Sequence, residues 1–247
     1  NNDCEYQEVF NVTTPNPILI NEIITDISCF QFDDGSIDLS LSGGTPPYTV
    51  EWSNNSFNED INNLSPGLYD VTVTDTEGCF EVASFQIVEP TLLTTSVNAF
   101  DVLCFGDNSG SIVPIISGGT PPYTQTWIGG ADPNNLSAGT YTLVVADSNG
   151  CIDTVNDIII DQPDSELLLT ADIVDVFPCN GDQTGSINPT ASGGTPPYQY
   201  STTPGVFLNQ LSSGLYTVSV QDANGCVLED DFFVDEPDVI SAIINTV

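Results

Sequence analysis

The sequence of 247 residues contains no lysine, arginine, histidine or methionine, against 35 aspartates and glutamates. Because it has no basic side chain, the chain cannot form a side-chain salt bridge. Its formal net charge of −35 predicts repulsion from nucleic acids and from anionic membranes, and it opposes compaction unless salt or cations screen it. The lack of histidine and of Cys-x-x-Cys spacing argues against a transition-metal site.

Long apolar runs and helical periodicity are also absent. No stretch is long enough to span a bilayer as a helix, so we expect no membrane insertion. The segments instead alternate polar and apolar residues between turns rich in Gly, Asn and Pro, which predicts an all-β protein.

The heptapeptide Ser-Gly-Gly-Thr-Pro-Pro-Tyr occurs three times without change, at Ser42–Tyr48, Ser117–Tyr123 and Ser192–Tyr198. Both spacings are 75 residues, which indicates a tandem array. A cysteine and Gly-Ser-Ile precede each copy, and Leu-Ser-x-Gly-x-Tyr and Gly-Cys follow it. We expect repeat 1 at 16–90, repeat 2 at 91–163 and repeat 3 at 164–237. Residues 1–15 match the last strand of a preceding repeat, and 238–247 the first strand of a following one.

Each repeat predicts a small β-sandwich of the immunoglobulin-like class, arranged head to tail in a rod. Trp52 and Trp127 occupy the third predicted strand, where such sandwiches bury a tryptophan; in repeat 3 Tyr200 is the candidate substitute. A tyrosine corner is predicted at Tyr69, Tyr141 and Tyr216. The predicted strands of repeat 2 are Leu92–Val102, Ser111–Ser117, Tyr123–Ile128, Thr140–Asp147 and Cys151–Ile160.

The order Gly-Gly-Thr-Pro-Pro-Tyr, Trp, then Leu-Ser-x-Gly-x-Tyr-x-Val-x-Val-x-Asp-x-x-Gly-Cys resembles the SprB-type repeat of large Bacteroidota surface proteins. The resemblance extends over all three units and both edges. It implies an extracellular, cell-surface location, export by the type IX secretion system, and a role in adhesion, gliding or fibre formation. The family motif carries no catalytic residue.

Two cysteines per repeat allow two pairings. Pairing within repeats would give Cys29–Cys79, Cys104–Cys151 and Cys179–Cys226. Counting strands favours pairing between repeats, Cys29–Cys151 and Cys104–Cys226, because the two cysteines of one repeat fall at opposite ends of a sandwich about 30 Å long. The sequence alone leaves both open. Under the favoured pairing, Cys4, Cys79 and Cys179 would find partners outside this sequence, and the motif loops would lie at junctions between repeats. These loops contain Gly43, Gly44, Pro46, Pro47, Gly118, Gly119, Pro121, Pro122, Gly193, Gly194, Pro196 and Pro197.

Acidic residues in turns are candidate calcium ligands, since calcium takes six to eight oxygens. The candidates are Asp33, Asp34, Asp75, Glu77, Asp107, Asp147, Asp182 and Asp222. A simpler interpretation is that Asp75, Asp147 and Asp222 cap tight turns. No cofactor is required by the sequence, and no pair of carboxylates is marked for catalysis, so we predict no enzymatic activity.

Two functions therefore remain. The first is a structural shaft of a long extracellular fibre, which could also assemble into a multi-chain filament. The second is an adhesive module that binds cells or glycans through variable loops at Ser53–Asn63, Ile128–Asn135 and Thr203–Gln210. The Pro-Pro-Tyr triplet could also be a ligand for a partner domain, although its fixed place before a strand favours a structural loop.

Overall fold

The computed structural model describes residues 7, 8, 14, 16–203, 205 and 207–241. These residues form strands, turns and loops. In this part of the chain no helix has the length and apolarity needed to cross a membrane. The all-β prediction is confirmed.

Repeat 1 contains six strands in two three-stranded antiparallel sheets, ordered β1-β2-β4 and β3-β5-β6. The strands are β1 Leu19–Thr25, β2 Gly35–Ser42, β3 Thr49–Trp52, β4 Ile61–Leu64, β5 Gly67–Thr74 and β6 Phe80–Ile87. This division, with strands one, two and four opposite strands three, five and six, is that of an immunoglobulin-like sandwich without its fourth strand.

Repeats 2 and 3 follow the same plan. Repeat 3 has sheets β12-β13-β15 and β14-β16-β17, while repeat 2 has β7-β8 and β11-β10-β9. Where repeat 1 has β4, repeat 2 has only a bridge between Gly110 and Leu136. The strands are β7 Thr94–Phe100, β8 Ser111–Ser117, β9 Thr124–Trp127, β10 Gly139–Ala146, β11 Ile152–Ile160, β12 Leu168–Val174, β13 Gly185–Ser192, β14 Gln199–Thr203, β15 Asn209–Leu211, β16 Gly214–Gln221 and β17 Val227–Val234.

The chain divides into two compact units, each held by its own contacts. The first contains the residues up to Thr94 together with Ile116–Thr124 and Val145–Asp153. The second contains Thr95–Ile115, Gln125–Val144 and the residues from Thr154 onward. Repeat 2 thus contributes residues to both units, and the repeat boundaries 16–90, 91–163 and 164–237 stay a prediction from the sequence.

The core of repeat 1 lies between its two sheets. Alternate residues of each strand point inward, as the two-residue period of a strand requires: Ile37 and Leu39 in β2, and Val71 and Val73 in β5. Trp52 is 2% exposed, and its indole Nε1 donates to the carbonyl of Asn58 at 2.9 Å. The core of repeat 3 is built likewise, around Leu167, Leu169, Val176, Ile187, Leu211, Val218, Val220 and Val234.

Aromatic residues in repeats 2 and 3 depart from the expectation. Trp127, predicted as the large core residue of repeat 2, is only half-buried at the end of β9. Tyr200, the candidate substitute in repeat 3, is 40% exposed, and its hydroxyl oxygen accepts from the backbone N–H of Ala191 at 2.8 Å. Tyr200 therefore lies outside the core, and its hydroxyl bonds from β14 to β13, a strand of the other sheet. Its phenol can satisfy a hydrogen bond there, which a buried position without a partner would not allow.

The two edges of the sequence give little structure to compare. The predicted strand at 1–15 lies almost entirely outside the described residues, as does Cys4. Of the strand predicted at 238–247, residues 238–241 are described and are not in a strand, and the remainder lies outside the described residues.

Candidate functional site

The first glycine of each motif loop is required by a close approach of backbone. Gly43, Gly118 and Gly193 have φ of 75°, 72° and 70°. A Cβ on any of them would lie within 2 Å of a carbonyl oxygen on the chain that enters the repeat, namely 1.9, 1.9 and 1.8 Å from Pro17, Leu92 and Glu166. Positive φ and this contact together explain why glycine recurs at this place.

The motif loop is also held from both sides by hydrogen bonds. In repeat 1 the N–H of Gly44 donates to the carbonyl of Asn16 at 3.0 Å, and the hydroxyl of Tyr48 donates to the carbonyl of Gly43 at 2.5 Å. Equivalent bonds occur in repeats 2 and 3. The motif tyrosine therefore closes its own loop. The two prolines of each loop are joined by a cis peptide bond and are exposed.

A buried aspartate connects each motif loop to the hairpin that follows β5, β10 or β16. In repeat 1 one oxygen of Asp75 accepts from the N–H of Thr45 at 2.9 Å, and the other accepts from Glu77 at 3.0 Å and Cys79 at 2.9 Å. Asp147 and Asp222 make the same three bonds. These three loop aspartates, each at most 6% exposed, are the buried charged residues of the described chain.

These bonds change the acidity of two loop aspartates. The N–H of Thr45, followed by those of Cys79, Glu77 and Gly78, holds the pKa of Asp75 below its ordinary value of 3.8 against the opposing effect of burial. For Asp147 burial acts to raise the pKa, but the backbone N–H groups around it together hold it below 3.8. The carboxylate form is thus the one that the loop stabilises.

The other candidate calcium ligands lie in the turns after the first cysteines. Asp34 accepts from both the N–H and the hydroxyl of Ser28, and the hydroxyl bond is the main cause of a pKa below its ordinary value. Asp107 is exposed, and Asp182 accepts from the N–H of Cys179. Among the described residues, no group of three or more Cys, Asp or Glu side chains converges where it could hold one ion. Calcium binding stays a prediction of the sequence.

The described part of the chain contains two disulfides, and each joins consecutive repeats. Cys29 is bonded to Cys151 and Cys104 to Cys226, with Cα–Cα distances of 5.6 and 5.7 Å and a sequence separation of 122 residues in both cases. Each bond lies within one compact unit. Cys79 and Cys179, which pairing within repeats would have used, are exposed free thiols.

An asparagine next to each disulfide adds a hydrogen bond to the same junction. The side-chain amide of Asn149 donates to the carbonyl of Ser28 at 3.0 Å, and that of Asn224 donates to the carbonyl of Leu103 at 2.9 Å. Each amide also reaches the hydroxyl of the motif threonine, Thr120 or Thr195. The motif loop, the hairpin and the preceding repeat therefore meet at one place, which we call the junction. Repeat 1 has Glu77 at the corresponding position, which offers no amide donor.

A cleft of about 400 Å³ lies beside the Cys29–Cys151 junction, with the exposed apolar side chains of Phe32, Leu92 and Ile152 in its wall. The corresponding cleft beside Cys104–Cys226 is smaller, about 140 Å³, and has Glu166 in place of Leu92. The clefts differ in size and polarity, whereas the disulfide and the asparagine bond are the same. The disulfide and the asparagine bond, and not the cleft, are therefore the features that the two junctions share.

The predicted corner tyrosines adopt a common geometry. The hydroxyls of Tyr69, Tyr141 and Tyr216 donate to the carbonyls of Ser65, Ser137 and Ser212 at 3.0, 2.8 and 3.0 Å. Each bond spans four residues and fixes the turn into β5, β10 or β16.

Replacing a loop aspartate by asparagine should destabilise its repeat. In Asp147→Asn the amide nitrogen would face the N–H of Thr120, so a charge-assisted bond becomes a contact between two donors. We expect a loss of about 2 kcal/mol at neutral pH. Hydrogen exchange of peptides from 139–160 measures it, with the exposed Asp107→Asn as a control for the same change of charge. Equal effects of the two variants would contradict a role for the buried carboxylate.

The penalty of Asp147→Asn should depend on pH. A carboxyl whose folded pKa is lowered contributes stability that is present above the unfolded pKa, about 3.9, and is lost as pH falls through the folded value. The difference between the parent and the variant should therefore be full at neutral pH and shrink below about pH 4. The free energy of unfolding in urea is measured for both proteins at neutral pH and below about pH 4. The difference between the two proteins at each pH cancels the general effect of titrating the other carboxylates. A penalty that does not change with pH would refute this.

The comparison with known families agrees with a repeat array. Three segments, 21–57, 96–132 and 170–207, match the model of the SprB repeat. No curated protein matches the sequence. Among solved structures, the three N-terminal domains of the bacteriophage RB49 Highly Immunogenic Outer Capsid protein (Hoc) align with 89% of this chain and 96% of theirs, at 13% identity and TM-score 0.36. Domains 4–9 of the surface layer protein SbsC align with 90% of this chain and 48% of theirs, at 11% identity and TM-score 0.29. Three segments of the chain, one in each predicted repeat, are thus similar to the SprB repeat.

Proposed function

We propose that this chain is part of the shaft of a long extracellular fibre or adhesin on a bacterial cell surface, and that it catalyses no reaction. The observation that carries the proposal is the junction. The residues most faithfully repeated along the chain form bonds within the loop, to the following hairpin and to the preceding repeat. Because these contacts position each repeat on its neighbour, they support a long and stiff array of repeats.

Disulfides support the extracellular location, because they persist in oxidising compartments and are rare in the cytosol. The three SprB-type segments support a surface protein of the adhesin or gliding class. Export by the type IX system and an origin in the Bacteroidota belong to this proposal as the setting in which such repeats would act. The charge of −35 would keep neighbouring shafts apart unless cations bridge them, so lateral filaments are an option that depends on ionic conditions.

Electron microscopy with antibodies against residues 16–237 tests the shaft. Gold label repeating along thin fibres that extend from the cell would support it, and label confined to the cytoplasm would refute it. A thick filament with several chains around an axis would instead make this segment a lateral assembly unit, with its contacts on the side faces of the repeats.

A second function, adhesion through the variable loops, is favoured by a specific observation. Among its described residues, each loop has a large apolar side chain exposed to solvent: Phe57, Ile128 and Phe207 are 72%, 59% and 88% exposed. Exposed aromatic rings are suited to stacking on sugar rings or on a partner's apolar residues. A glycan array with the parent and with a Phe57→Ala, Phe207→Ala variant separates the functions. Binding that the variant loses supports adhesion, and no binding by the parent at micromolar concentration favours the shaft.

A further inference from the structure

The two disulfides close overlapping loops. Cys29–Cys151 and Cys104–Cys226 each have a sequence separation of 122, which exceeds the 75-residue repeat, so the segment from 104 to 151 lies inside both loops. No backbone position between Cys29 and Cys226 lies outside a loop. This follows from connectivity alone.

We propose that the overlapping disulfides form a second covalent path that keeps the chain in one piece when the backbone is broken. A cut between 29 and 104 is bridged by Cys29–Cys151, and a cut between 151 and 226 by Cys104–Cys226. A cut between 104 and 151 is bridged by both. This function goes beyond that of a shaft and does not depend on it.

The pairing between repeats is what creates the continuous path. Pairing within repeats would have left the backbone of 80–103 and 152–178 unbridged, so that one cut between domains would separate them. Those segments contain the connections from one repeat to the next, including the exposed residues Asp164 and Ser165. Exposed connections are the usual sites of proteolytic cleavage.

The same path limits extension under tension. The shortest covalent route from Cys29 to Cys226 crosses to Cys151, returns along the backbone to Cys104 and crosses again. Its 47 backbone residues span about 160 Å when extended, whereas the 197 residues of the backbone route would span about 670 Å. If the repeats unfold, the segment 104–151 would therefore carry most of the tension, and the longer segments 29–104 and 151–226 would carry less while the disulfides hold.

A single engineered trypsin site tests the path, because the chain has no lysine or arginine. The segment Gly-Ser-Arg-Gly-Ser is inserted after Asp164. The cysteines that do not belong to Cys29–Cys151 or Cys104–Cys226 are removed by Cys4→Ser, Cys79→Ser and Cys179→Ser. After trypsin treatment, a denaturing gel should show one band without reductant and two bands with it. Held at both ends in magnetic tweezers, it should stay tethered after trypsin and lose the tether when reductant is added.

Two matched variants complete the test. With Cys104→Ser and Cys226→Ser, cleavage after Asp164 should give two species without reductant and release the tether. In the same variant, the insertion placed after Gly130 should leave one species, because Cys29–Cys151 still bridges that cut. Separation of the parent at Asp164 without reductant would overturn the proposal. The proposal would also be overturned if the variant lacking Cys104 and Cys226 stayed in one piece without reductant after it is cut after Asp164.

Discussion

Replacing Gly43 by alanine should unfold the loop end of repeat 1, at a cost of about 4 kcal/mol. Alanine at a φ of 75° costs roughly 1–2 kcal/mol by itself. The new Cβ would also lie 1.9 Å from the carbonyl oxygen of Pro17, a contact that only a shift of backbone can relieve. That shift would break the Gly44–Asn16 hydrogen bond, so the effects add to a loss in the exceptional range.

Gly78→Ala is the matched control. Gly78 has nearly the same backbone conformation, with φ of 82°, but no atom lies within 4 Å of the position of its Cβ. It should therefore show the conformational cost alone, about 1–2 kcal/mol. In a Trp127→Phe background, the fluorescence of the remaining Trp52 reports the urea unfolding of repeat 1. If both variants lose the same stability, the close approach to Pro17 does not explain the glycine.

Much of this fold follows from sequence patterns whose causes are local. β8 is predicted and observed at Ser111–Ser117, and β10 and β11 each begin one residue away from the prediction. Alternation of apolar residues and turn residues such as Asn149-Gly150 act over a few positions, so they can be recognised in the sequence. The first strand of repeat 2 is predicted at Leu92–Val102 but covers only Thr94–Phe100; beyond its end, the N–H of Val102 donates to the carbonyl of Asp161, just after β11.

The buried aspartates show where such inference ends. Asp75, Asp147 and Asp222 are predicted as turn caps or as calcium ligands. One oxygen of each does cap its own turn, but these aspartates are also buried, and the other oxygen is bonded to a motif loop about thirty residues earlier in the chain. Two signals were available: the aspartate recurs at a fixed place in every repeat, and the motif loop needs a partner for its free N–H groups. Neither signal shows that the aspartate and the motif loop are partners unless the strand topology is known.

Trp127 and Trp52 illustrate the same limit for packing. Both tryptophans follow the same motif at the same spacing, and the sequence gives no reason to rank them. Trp52 is nevertheless enclosed, because the loop after β3 returns over it and supplies the carbonyl of Asn58, whereas the loop after Trp127 contains Gly129 and Gly130 with open space around them. A residue's burial depends on which segment covers it, and the variable loops are the part of each repeat that the motif does not determine.

This difference gives a second prediction of large effect. Trp52→Ala should destabilise repeat 1 by about 3–5 kcal/mol, because it removes a fully buried side chain together with its contact to the ring of Phe85, 6.1 Å away between centroids. Trp127→Ala makes the same chemical change at a half-buried position and should cost repeat 2 less than half as much. Hydrogen exchange of 67–87 and 139–160 measures each repeat in the intact chain, with the unmutated repeat as an internal reference. Equal losses of stability would mean that both tryptophans contribute equally to the stability of their repeats. The loop after β3 would then not determine the burial of Trp52.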